Sequence, residues 1–280
     1  FDIMSRQNFV QAGGFFPRGA LEDAKIWIGK RYYNRHDIHI TDYFYWQNSG
    51  PGAGLEDINA GPVKLAFAYL QSNENSTGGL QNPGNGHPFG DVTTKKYSMR
   101  VYDLDVNPNG KLEGELVYIQ GSSADPAAQE AKGYALMIEH TQNGLLGGFN
   151  KLALVYGSKA GTGFEWIPTY AGGGGDPKGN TWRLHEQLYF DLKNGFSGMF
   201  TTSYGRANFG GPNDNTWFNI GIRPQYNFTA NYSVAVEAGL DQGKTDSGSK
   251  PKIAKLTVAP QITLSGGFWA RPAFRAFATY

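Results

Sequence analysis

The chain has 280 residues with 25 basic and 24 acidic side chains, no cysteine, 39 glycines, and 18 Phe, 16 Tyr and 6 Trp. A charge balance this close to zero argues against a nucleic-acid binder, which carries a basic excess for phosphates. The lack of cysteine excludes a disulfide scaffold, a cysteine-ligated metal site and thiol catalysis. Abundant glycine and aromatic residues with modest aliphatic content suit an all-β chain with many turns. No apolar run is long enough for a transmembrane helix, and Phe1 to Arg6 lack the charged start and apolar stretch of a signal peptide. A transmembrane β-barrel passes these tests, because its alternating lipid-facing and lumen-facing residues average to a polar sequence.

Period-2 alternation predicts strands near 4–12, 24–32, 53–59, 61–71, 95–105, 111–120, 131–141, 150–158, 181–192, 195–205, 215–227, 231–241, 252–264 and 269–280. In Val63 to Tyr69 the odd positions form one apolar face. In Leu112 to Tyr118, Glu113 and Glu115 lie opposite Leu112, Leu116 and Tyr118. Tight separators such as Asn107-Pro108-Asn109-Gly110 and Thr229-Ala230-Asn231 alternate with long polar ones at 72–94, 122–131, 157–180 and 243–251. Short turns at one end and long loops at the other are the outer-membrane barrel arrangement.

Lys151, Arg183, Asp191, Arg223, Glu237, Lys255, Arg271 and Arg275 fall in mid-strand opposite apolar faces. A soluble sandwich would turn them to bulk water; a barrel would line an aqueous lumen with them. Tyr69, Tyr118, Tyr156 and Tyr280 near strand ends fit an interfacial aromatic girdle.

Conventional catalytic motifs are missing. Gly50-Pro51-Gly52-Ala53-Gly54 has no phosphate-loop lysine, and His185-Glu186 has no second histidine for a zinc helix. His36 and His39 beside Asp37 suggest a metal cluster without a clear third ligand. Glu113 and Glu115 are the best pair for glycoside cleavage, about 6.5–7 Å apart by strand rise. Acids on one face of a solvated strand are nonetheless common, and nothing marks either as perturbed.

The segment from Arg31 to Gly54 is the most unusual, crowding charges and aromatic rings before a glycine-proline turn. Rings beside Arg and Asp suit a sugar site, because rings stack on pyranose faces while ionic groups bond the hydroxyls. This segment resembles the constriction loop of the maltoporins, sugar porins of Gram-negative outer membranes. The matching blocks are Gly29 to Tyr33, Arg35-His36-Asp37, Ser49 to Glu56, Glu139 to Gln142, Gly148 to Lys151, Gly221 to Pro224 and Arg271 to Tyr280.

The resemblance implies a homotrimer of eighteen-stranded antiparallel barrels, with about twelve to fourteen strands covered here and no catalysis or cofactor. Residues 1–280 would form one sugar-porin domain with an inward-folded constriction loop at about 31–54, truncated at both ends. Phe149 and Trp269 align with ladder aromatics along which sugar rings slide. Arg6, Arg35 and Asp42 align with the polar tracks, and Phe44 with a constriction residue that is tyrosine in the best-known maltoporins. Gln47 replaces an expected aspartate. The implied ligand is maltose or maltodextrin, with another oligosaccharide or glucoside as alternative, and exposed loops of such porins often serve as bacteriophage receptors. A soluble β-sandwich glycan-binding module and a glycosidase are the readings of other classes.

Overall fold

The structure is a computed structural model that describes residues 7–74, 92–123, 131–163, 179–211 and 214–280. Its strands are β1 (Asn8–Gly13), β2 (Lys25–Arg31), β3 (Arg35–Ile38), β4 (Tyr43–Gln47), β5 (Gly50–Ala60), β6 (Val63–Glu74), β7 (Val92–Asn107) and β8 (Gly110–Ser123). They continue as β9 (Ala131–Asn143), β10 (Phe149–Lys159), β11 (Asn180–Asp191), β12 (Phe196–Asn208), β13 (Asn215–Asn227), β14 (Tyr232–Thr245), β15 (Lys252–Thr263), β16 (Ala273–Arg275) and β17 (Ala278–Thr279). All but β3 and β4 join one 15-stranded sheet, in sequence order from β1 to β16, with β17 also on β15. Strands β3 and β4 form a separate two-stranded hairpin.

Thirteen of the predicted windows coincide with sheet strands, residues 4–6 of the first lying outside the described residues. The last does not. Residues 269–280 give only β16 and β17, which pair with opposite ends of β15. Proline at 272 removes a ladder donor and breaks the run there. Gly50 to Gly54, expected inside the constriction loop, belong to β5 and pair with β2 and β6. Their glycines allow close approach: a Cβ on Gly54 would stand 2.5 Å from the Trp27 indole nitrogen, and one on Gly52 2.1 Å from the Tyr69 carbonyl. That packing accounts for the glycine tract without a phosphate.

The two faces of the sheet are inverted relative to a soluble protein. Along β11, Thr181, Arg183, His185 and Gln187 are buried, His185 to 2 %, whereas Leu184 is 43 % exposed. Ser98, Glu115 and Glu139 are likewise buried, while Phe67, Leu116, Leu152, Leu154, Ile220 and Val258 face outward. Burying the polar set and exposing the apolar set is costly in water and favourable in hydrocarbon around a wet lumen. Among the described residues no helix is long and apolar enough to cross a membrane.

The outward face carries its own aromatic row. Tyr69, Tyr97, Tyr118 and Tyr134 are register partners on β6 to β9, with successive ring centroids 5.2, 6.0 and 5.1 Å apart. They lie toward the ends of these strands that lead to the long connections, where amphipathic rings meet the interface. Tyr226, Phe228 and Tyr232 cluster at the short-turn end. Leu154 lies midway along β10 on this outward face. Leu154→Arg is expected to cost about 2–4 kcal/mol, read as a lowered denaturant midpoint in lipid vesicles; an unchanged midpoint would show that Leu154 does not contact lipid.

Candidate functional site

The β3–β4 hairpin enters between β2 and β5 and lies on the polar face of the sheet. A register shift between His36 and Asp37 sorts its side chains. His36, Ile38, Ile40, Tyr45, Trp46 and Asn48 are buried toward the wall. There Ile38, Ile40, Tyr45 and Trp46 form an apolar cluster with Val117, Ile119, Ala135, Met137, Ala153, Val155, Met199 and Phe268. Arg35, Asp37, Phe44 and Gln47 alternate with them and remain partly open. A stretch that would expose rings on both sides of a lone strand is thus a hairpin with one wall side and one lumenal side.

Two buried carboxylates fasten it. Glu115, 1 % exposed, accepts hydrogen bonds from Trp46 Nε1 at 2.6 Å and Asn48 Nδ2 at 2.8 Å, and from Asn34 and Ser98. Glu139 lies 3.0 Å from His36 Nδ1 and 3.1 Å from Lys151 Nζ, and also accepts from Tyr45 and from Thr141 at 3.2 Å. Further along, Gln187 accepts from the His39 amide and donates to the Asp37 carbonyl. Arg183 donates to Tyr43 Oη at 2.8 Å, and Arg223 to the Ile40 carbonyl at 2.9 Å. Tyr45 stacks on His185 at 4.9 Å.

These partners change the reading of three sequence candidates. Glu113 pairs with Arg100, whose Nε lies 3.1 Å away, while Glu115 is consumed by hairpin donors. The two acids therefore share a face but not a reaction site, and they serve as anchors. His36 and His39 also separate: His36 meets Glu139, whereas His39 lies over Trp269 and 3.7 Å from Asp37. His36, Glu113 and Glu139 could bring ligand atoms within 4.8 Å of one another. However, Glu139 meets Nδ1 and Glu113 meets Nε2 on the other side of the ring. One ion bound to one ring nitrogen does not match that placement.

The sugar-site candidates fall in two groups. On the hairpin, the Arg35 guanidinium lies between two rings, 4.1 Å from the Tyr32 centroid and 3.9 Å from Phe44. Asp42 is exposed and ends the turn after Ile40 in the left-handed region, at φ 51°. Its backbone amide donates to the His39 carbonyl and its side chain is exposed. Arg6 lies outside the described residues.

At the short-turn end, Phe149 opens β10 and Trp269 lies in the segment after β15. Tyr189, which composition and alternation left unremarked, connects them: its centroid is 5.6 Å from Phe149 and 5.2 Å from Trp269. Trp269 is 42 % exposed and 4.7 Å from the His39 ring. Beside this cluster, Arg223, Glu237, Arg271 and Arg275 line a pocket with Gln225 and Gln261. Glu237 bridges Arg223 and Lys255, and Arg275 donates to Gln261 at 2.7 Å. Rings at one end with hydrogen-bonding and ionic groups alongside can hold a polyhydroxylated ligand by stacking and by replacing its water.

Glu115→Ala leaves several buried donors without an acceptor and is expected to cost about 3 kcal/mol, while single-channel conductance rises as the hairpin loosens. Unaltered conductance and stability would show that Glu115 does not hold it. Burial, reinforced by the Glu139 charge, pushes the Tyr45 phenol well above the ordinary tyrosine value. The folded chain then favours the neutral phenol, so Tyr45 contributes stability fully below about pH 10. That contribution is lost as pH rises through the elevated folded value. Tyr45→Phe should remove this part of the alkaline destabilisation; parallel midpoint-versus-pH curves for both proteins would exclude Tyr45 as its source.

The LamB porin family profile matches residues 2–280. The antiparallel sheet, its inverted faces and this end-to-end match are mutually consistent. The chain belongs to the LamB porin family, outer-membrane β-barrel channels for sugars rather than enzymes.

Proposed function

We propose that the protein carries out facilitated diffusion of maltose and maltodextrins across the outer membrane as a homotrimer, with the β3–β4 hairpin as the constriction. The observation that carries this reading is the pairing of half-open rings, Phe149 and Trp269, with charged hairpin groups on the same lumenal side of the sheet. A sugar entering from outside gives up part of its hydration and stacks on successive rings. Arg35 and Asp42, with Arg6, exchange hydrogen bonds with its hydroxyls as they leave water. Each contact must be weak and repeated, so that release from one ring accompanies capture by the next. The concentration gradient is the only driving force, and no covalent bond changes.

A second sugar class, another oligosaccharide or a glucoside such as sucrose, is favoured by one specific observation. Phe44 presents a ring with no hydroxyl to the lumen, and Gln47 nearby is uncharged. Fewer polar fixed points at the constriction relax the demand for a particular hydroxyl pattern. A role as a bacteriophage receptor would rest on the long connections, whose central parts at 75–91, 124–130 and 164–178 lie outside the described residues.

In planar bilayers, Trp269→Ala is expected to raise the maltohexaose concentration for half-block of ion current about tenfold, equivalent to about 1.4 kcal/mol. Unchanged block would remove Trp269 from the sugar path. Stronger block of the unaltered protein by sucrose than by maltohexaose would replace maltodextrin by the second sugar class.

A further inference from the structure

We infer that Tyr189 is a third stacking ring on the sugar path, joining Phe149 to Trp269 into one continuous aromatic surface for neutral oligosaccharides. This inference rests on the sugar-channel reading above. Strand parity places Tyr189 first. Thr181, Arg183, His185 and Gln187 alternate along β11 and all point to the buried, lumenal side, and Tyr189 is the next member of that series. Leu184, of opposite parity, faces outward. One side of Tyr189 packs against the apolar cluster through Met199, its partner on β12, and Phe268, and the ring is only partly buried there.

Its neighbours give it a direction. Phe149 on β10 is its direct cross-strand partner, and the two rings lie 5.6 Å apart, tilted by 40°. Trp269 meets Tyr189 edge-on at 5.2 Å and 61°. Phe268, buried to 5 %, lies 5.5 Å behind it and backs the ring. Tyr189 touches both Phe149 and Trp269, and among the described residues no ring contact joins those two directly. Tyr189 is the ring that makes them continuous. Its phenol oxygen accepts from the Trp269 indole, and its O–H is left to donate to a sugar hydroxyl.

A continuous surface matters most for a chain of sugars, because adjacent units engage adjacent rings and each added contact is intramolecular. Tyr189→Leu is therefore expected to raise the half-blocking concentration of maltohexaose about 2- to 10-fold, with a smaller change for maltose. Tyr189→Trp, which enlarges the ring, should preserve or tighten maltohexaose block, and it decides the matter if the leucine variant fails to assemble.

Unchanged block in Tyr189→Leu, where Trp269→Ala weakens it, would reduce Tyr189 to a support for its neighbours and overturn the inference alone. Loss of block in Tyr189→Trp as large as in Tyr189→Leu would also overturn it, because stacking should survive that exchange. Block unaffected by any substitution at Phe149, Tyr189 or Trp269 would overturn the ladder reading together with this inference.

Discussion

Burial of carboxylates is the constraint on which the rest of this structure depends. Glu115 and Glu139 stand on the lumenal wall, each 1 % exposed. A carboxylate removed from water is costly unless its lone pairs are filled and its charge is met. Trp46, Asn48, Asn34, Tyr45 and His36 supply most of those partners, and all come from the hairpin or its flanks. The wall therefore needs the hairpin to satisfy its acids, and the hairpin needs the wall to bury its indole and phenol. Neither is self-sufficient. Changes at this junction should alter pore calibre and stability together, which is unlike the effect of a change on a free surface loop.

The same junction orients the lumenal side. Wall-facing residues at His36, Ile38 and Tyr45 force Arg35, Asp37 and Phe44 to the other side by alternation. The hairpin also runs the depth of the sheet, leaving β2 at the long-loop end and placing His39 over Trp269 near the short turns. Hairpin and ring cluster are thus held together, with Gln187 and Arg223 pinning the hairpin's tip.

Most of the sheet was legible because period 2 is a strong signal wherever one face meets lipid and the other water. It failed at 269–280, where Pro272 and the two short strands β16 and β17 mimic alternation without continuous pairing. The hairpin was legible as unusual but not as a hairpin: Trp46 is held by Glu115, 69 positions away, and Tyr45 by Glu139, 94 positions away, both invisible in a local window. Glu113 and Glu115 show the same limit. Parity placed them on one face correctly, yet only tertiary contacts reveal that one meets Arg100 and the other an indole. Tyr189 is the reverse case: its position in the polar series of β11 was readable, but its meaning required Trp269 to arrive from beyond β15.

The hairpin's ties span unusual lengths of chain. Asn34 reaches Glu115 across 81 residues, His36 reaches Glu139 across 103, and Arg223 reaches Ile40 across 183. Every pairing within the large sheet from β5 to β15, by contrast, joins a strand to its immediate successor. Successive strands can zip together through local closure, whereas the hairpin has no surface to dock on until β8, β9, β11 and β13 are assembled. The entropic difference among such long closures is small, since it grows only with the logarithm of their length, but the order of events is fixed. The hairpin is therefore expected to dock last, after the strands that supply its wall have paired.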